Sequence, residues 1–130
     1  MAQKEIEVIL TRQLASYLAM PIIIIDAAGT LVFYNEPAEV ILGMRFEETG
    51  ELSADEWAHI LVVTDEQGTP LAPETRPMLI ALTEQRPAHC EIWGQGLDHV
   101  RKHIEITAFP LIGQAGRHLG AVAIFWEIEK

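Results

Sequence analysis

Cysteine is nearly absent: Cys90 is the one thiol in 130 residues, so no internal disulfide can form and the chain suits a reducing compartment. Basic residues are few as well. Nine lysines and arginines stand against nineteen acidic residues, a formal charge of −10, and they are scattered along the chain. Without a cationic cluster there is little to attract a phosphate backbone, which argues against nucleic acid as a partner. No apolar run approaches the roughly 18 residues that a membrane span requires, so no membrane partner is expected. Residues 1–7 carry Lys4, Glu5 and Glu7 with no apolar block of signal-peptide type behind them, and the expected location is the cytoplasm. Catalytic patterns are missing too. Glu47 with Glu48 and Asp55 with Glu56 are neighbours in solvated stretches, which point in different directions on a helix, and no nucleophile sits with a base. Gly94 and Gly96 lack the spacing of a nucleotide-binding turn. The expectation is a protein that is not an enzyme.

What is present is the composition of one ordinary domain, 49% hydrophobic and 22% charged, long enough to close a single core. Residues 3–18 place Ile6, Ile9, Leu10, Leu14, Tyr17 and Leu18 at helical spacing and predict an amphipathic helix. That helix either packs on its own domain or pairs with a second copy. Residues 22–25 and 31–34 are β-branched or aromatic at almost every step around a turn of Asp26, Ala27, Ala28, Gly29 and Thr30, which predicts a β-hairpin. Asn35 is a helix cap by type, and Pro37 suits the first turn that follows. Ser53 is placed to cap a short helix, residues 65–70 form a turn cluster, and residues 73–86 set Met78, Leu79 and Leu82 on one helical stripe.

The last third reads as three antiparallel strands over residues 88–93, 100–111 and 119–128. With the first loop centred near Leu97, His89 falls opposite Glu105 and Glu91 opposite His103, while Cys90 and Ile92 share a face with Ile104 and Ile106. One face is oily and the other polar. His89, Glu91, His103 and Glu105 suit cross-strand pairing better than a metal site, and no metal is expected.

Asp26 and Gly29, then Asn35, Ala38, Glu39 and Gly43, then Asp65, Gly68, Pro70 and Leu71, then Arg76, Pro77, Ala81 and Leu82, and last Pro110 and Leu111 with the GAVAIFWEIE close, occur in the order found in a known family. Residues 21–128 resemble a PAS domain, a module of bacterial and eukaryotic signalling proteins. The resemblance implies an α+β fold: a five-stranded antiparallel sheet with short helices on one face, over residues 21–130, preceded by an N-terminal amphipathic flanking helix over residues 1–20. It implies a non-catalytic sensory module of bacterial signal transduction, with a small apolar ligand between sheet and helices and a partner or attached effector as the output. A ligand-free interaction or dimerisation module is the alternative, and a small enzyme built on the same cavity a more distant one. The final strand is apolar from 121 to 126, so the outer face also needs a cover, and a homodimer through the N-terminal helix would supply one.

On that basis Met78, Leu82, Cys90, Ile92, Ile104 and Ile106 are the expected ligand-lining residues. The cofactor is left unknown. Haem-binding relatives present an axial histidine, often on the helix before the third strand, and residues 73–86 contain none; His59 and His89 are the remaining candidates for a haem-binding gas or redox sensor. The Asn-Cys-Arg-Phe-Leu motif of flavin photoreceptors is missing, and Cys90 reads as a small buried hydrophobe. At the exit, Glu127, Ile128 and Glu129 replace the Asp-Ile-Thr triplet common where an effector is attached, which leaves open a stand-alone module or a fragment of a longer protein.

Overall fold

A computed structural model describes residues 6–128. The start of the expected N-terminal helix and Glu129 of the exit triplet lie outside the described residues. The chain order is helix α1 (Ile6–Tyr17), strands β1 (Ile22–Asp26) and β2 (Leu31–Tyr34), helices α2 (Glu36–Leu42), α3 (Phe46–Thr49) and α4 (Ala54–Trp57), strand β3 (Val62–Thr64), helix α5 (Pro77–Glu84), then strands β4 (Ala88–Gln95), β5 (Arg101–Ile112) and β6 (His118–Glu127). The strands form one antiparallel sheet in the order β2-β1-β6-β5-β4-β3.

This is the expected α+β architecture with six strands in place of five. The extra one, β3, pairs Val62, Val63 and Thr64 with Gln95, Gly94 and Trp93. Three residues are too few for an alternation to show in sequence, and the turn that follows dominates the local composition. That turn repeats the first one. In DAAGT (residues 26–30) and DEQGT (residues 65–69), the Asp carboxylate accepts from the backbone N–H groups two and four residues on, at 2.9–3.0 Å, and the Asp N–H donates to the Thr carbonyl at 2.9 Å. Gly29 and Gly68 both sit at φ 87°, a left-handed conformation that glycine adopts without steric cost.

Each helix has a local cause. Asn35 caps α2 by accepting from the Ala38 N–H, and Gly43 ends it at φ 81°. Ser53 and Glu56 form a reciprocal capping box on α4. Pro77 opens α5, and Gln85, at φ 53°, closes it.

Around β1, β2 and β6 the sheet is buried on both faces, which explains the continuous apolar runs of those strands. On the inner face Ile23, Ile25, Leu31, Ile92, Ile104, Ile106, Ala123 and Phe125 pack against Ala38, Ile41 and Leu42 of α2 and Met78 and Ala81 of α5. On the outer face Ile22, Ile24, Val32 and Val122 pack beneath Val8 and Ala15 of α1. The expected cover for the outer face is therefore the chain's own helix. It is laid on in an unexpected rotation. Ile6, Leu10, Leu14 and Tyr17, four of the six residues of the predicted stripe, are 57–87% exposed and Ile9 and Leu18 are 42% and 39% exposed, while Val8 and Ala15 are buried. Small side chains let a helix backbone approach a sheet closely, and the larger ones are left facing outward.

The β4–β5 register is displaced from the expectation. Ile92 pairs with Ile104 and Glu91 with Glu105, because β4 continues to Gln95 and moves the loop centre from 97 to 98. The displacement changes the sum of paired residue numbers by two, so every side chain keeps its expected face.

Candidate functional site

Between α5 and the sheet lies an apolar cavity of about 60 Å³, lined among others by Ile23, Trp57, Met78, Ile92, Ile106 and Ala123. Strand alternation points Ile23, Ile92, Ile106 and Ala123 inward, and the first turn of α5 places Met78 over them. Two hydrogen bonds hold the rim. The Trp57 indole N–H donates to the Gly29 carbonyl at 2.9 Å, fastening α4 to the first hairpin. The Arg76 guanidinium donates to the Leu71 carbonyl at 3.0 and 3.2 Å, fastening the entry of α5. The loop beyond β4 is tied down as well, since the Leu97 N–H donates to the Leu42 carbonyl at 2.8 Å.

Of the six sequence-predicted lining residues, Met78, Ile92 and Ile106 line this cavity. Ile104 is fully buried in the same core, and Leu82 and Cys90 pack against it from the side. Burial, with Glu91 adding to it, pushes the Cys90 thiol above its ordinary range, which favours the thiol over the thiolate. Among the lining residues that sequence reasoning missed are Ile23, Trp57 and Ala123. Ile23 and Ala123 could have been found by carrying the inward alternation from β4 and β5 to the neighbouring strands; Trp57 comes from a helix of one turn with no readable period.

A cavity of this size holds a few waters, far below the roughly 300 Å³ at which pockets for metabolite-sized ligands begin. Haem and flavin do not fit it. Nor are the candidate axial ligands near it: His59 is exposed just beyond α4, and His89 is exposed in β4 with its Nε2 3.1 Å from Glu105.

The outer face beyond α1 carries the polar pairs. Glu105 accepts from the Trp126 indole N–H at 3.1 Å through one oxygen and meets His89 through the other. His103 stands 3.5 Å from Glu91 and stacks on Trp93 with ring centroids 4.2 Å apart. These are the expected His and Glu pairs, made on the diagonal of the observed register. Among the described residues no group of three His, Cys, Asp or Glu side chains is placed to hold a metal, and no helix is long and apolar enough to cross a membrane.

α1 is fastened at both ends. Near its start the Glu7 carboxylate accepts from the Gln114 N–H at 3.2 Å and lies 3.8 Å from the Arg117 guanidinium, both in the β5–β6 connection. The backbone N–H groups of Glu7 and Gln114 hold this carboxyl below its ordinary range, with Arg117 adding to the effect. Near its end, the Asn35 side chain donates to the carbonyls of Ala15 and Met20.

No protein-family model matches the sequence, and no curated protein matches it closely. Solved structures do. The chain superposes on the PAS domain of Bordetella pertussis BvgS with a TM-score of 0.71 at 18% identity, covering 97% of this chain and 89% of that one. A PAS domain from Colwellia psychrerythraea gives 0.64 at 20% identity, covering 92% and 97%. The Rhodobacter sphaeroides LOV protein gives 0.74 at 12% identity, covering 97% and 70%. At such identities the likeness is one of fold, and the fold is the PAS fold.

Proposed function

With a PAS fold as the premise, we propose that the chain is a non-catalytic sensory module of bacterial signal transduction, acting in the cytoplasm as a homodimer joined through α1 and passing its state to a signalling partner. The observation that carries this reading is that α1 has two apolar sides. Val8 and Ala15 seat it on the sheet, and Ile6, Leu10 and Leu14, four residues apart, form a row on the opposite side that faces outward. A row of this kind is self-complementary across a two-fold axis, and pairing would remove it from water in both copies at once.

The strands supply a route from the interior to that row. Ile23 and Ala123 line the cavity, while Ile22, Ile24 and Val122, their neighbours on the same strands, lie under α1. A small apolar ligand that spreads α5 from the sheet would move inward-facing residues one position away from those that seat the helix. Its effect on the helix equals its difference in affinity between the two arrangements. Met78, Leu82, Cys90, Ile92, Ile104 and Ile106 remain the proposed surroundings of such a ligand. The size of the cavity favours a second reading, in which the interior stays closed by its own side chains and the module works by association alone.

Sedimentation velocity on the native chain and on the Leu10→Glu/Leu14→Glu double variant tests the proposal. A native dimer and a folded monomeric variant are expected; a native monomer at tens of micromolar, or a variant that still dimerises, contradicts it. Native mass spectrometry separates the two readings, since retained or added apolar mass supports a ligand and a bare chain supports association alone.

A further inference from the structure

On the outer face, α1 and β2 enclose a groove of about 370 Å³, several times larger than the inner cavity. Its walls include Val8, Ile9, Arg12 and Gln13 of the helix, and Val32 and Phe33 of β2. The volume lies within the range of ligand pockets, and the lining is apolar apart from a few groups contributed by α1.

One of those groups is a cation in an unusual setting. The guanidinium carbon of Arg12 lies 4.8 Å from the centroid of the Phe33 ring and 5.4 Å from that of Phe46, and the two rings meet edge to face at 5.3 Å. These aromatic faces attract the charge but accept none of its five N–H donors in a hydrogen bond. Among the described residues no carboxylate lies within ion-pair distance of Arg12, in a chain whose formal charge is −10. Arg12 is exposed, so water serves its donors in the free chain; a ligand that buries apolar chain in the groove and also contacts that guanidinium is a molecule with a long apolar body and an anionic head. A carboxylate matches the planar fork in a two-pronged contact. A phosphate dianion would bring twice the charge to a single cation on an acidic protein, and a sugar or nucleotide would find too few polar partners.

We propose that this groove is a binding site for a medium-chain fatty acid, with the carboxylate on Arg12 and the alkyl chain along Ile9 and Phe33, above the buried Val8 and Val32. The site is separate from the interior of the fold, and it stands whether or not α1 mediates association.

Decanoate, held below its micelle concentration, is titrated into the full chain by calorimetry and by amide NMR, with decanol and decyltrimethylammonium as comparisons. Decanoate should bind at least about tenfold more tightly than decanol, the effect of one charge-assisted contact, and the cationic amphiphile more weakly still. The largest amide shifts should fall at Val8, Arg12, Val32 and Phe33. Arg12→Gln should reduce decanoate to the affinity of decanol, Arg12→Lys should keep part of the difference, and Gln13→Trp, on the exposed wall, should weaken both ligands. Equal affinities for the three amphiphiles, an Arg12→Gln variant that binds decanoate as the native chain does, shifts centred on Ile23, Met78 and Ile92, or no saturable binding would each overturn the assignment.

Discussion

The side-chain amide of Asn35 donates to the carbonyl of Ala15 at 3.0 Å, so the residue that caps the start of α2 also closes the end of α1. The same amide donates to the Met20 carbonyl at 2.8 Å, while its oxygen accepts from the N–H groups of Ile22 and Ala38 at 3.0 and 3.2 Å. Asn35 is 2% exposed, and so are most of the groups it serves hidden from water. Asn35→Ala should cost about 2–4 kcal/mol in urea unfolding, the sum of a lost cap and unsatisfied buried partners. Asn35→Asp keeps the acceptor and sets a charged oxygen against the carbonyls of Ala15 and Met20. It should release α1 selectively, seen as faster hydrogen exchange at the α1 amides than at those of β5 and β6.

Glu7 gives α1 a pH dependence of definite sign. Its folded pKa lies below the ordinary 4.5, so the stabilisation it provides is fully present above that value and is lost as pH falls through the depressed one. Glu7→Gln should therefore exchange faster than the native chain in α1 at pH 7. The difference should close as both are taken well below pH 4.5, and a difference that widens on acidification would reject the assigned role.

How much of this was legible depends on how local the cause is. The hairpin at residues 22–34, the Asn35 cap and the Ser53 cap are written in adjacent residues, and each formed as the spacing predicted. The faces of β4 and β5 were legible because period-two alternation survives a displacement of the loop centre, though the pairing itself was not. The rotation of α1 was not legible. Leu10 and Leu14 read as the buried side because they are large, whereas the choice of Val8 and Ala15 depends on how closely a helix can approach the surface made jointly by β1, β2 and β6, the last of which lies at the other end of the chain. The groove beside Arg12 is likewise a product of that rotation.

Gly120 of β6 pairs with Asp26 at the end of β1. Its φ is 145°, and a Cβ there would stand 2.0 Å from the Ile25 carbonyl oxygen. Since backbone must move to admit even a methyl group, Gly120→Ala should lose about 3 kcal/mol or more in chemical unfolding. An effect under 1 kcal/mol would show that the β1–β6 pairing is looser than the structure has it.

Met78 covers the inner cavity and is 6% exposed. Met78→Ala should destabilise the chain by about 2–5 kcal/mol and enlarge an apolar space, so that benzene raises the melting temperature of the variant and leaves the native chain unchanged. A native chain stabilised by benzene to the same degree would mean that the closed interior opens readily.

The central claim, that α1 joins two copies through its outward row, is tested most directly by distance. A spin label on Leu14→Cys in a Cys90→Ser background reports the separation of the two helices by pulsed dipolar spectroscopy. Packed helices have axes roughly 8–10 Å apart, so the account predicts one narrow distribution at the short end of the accessible range, abolished by Leu10→Glu. A broad, long distribution, or no dipolar signal from a chain that sediments as a dimer, would contradict it.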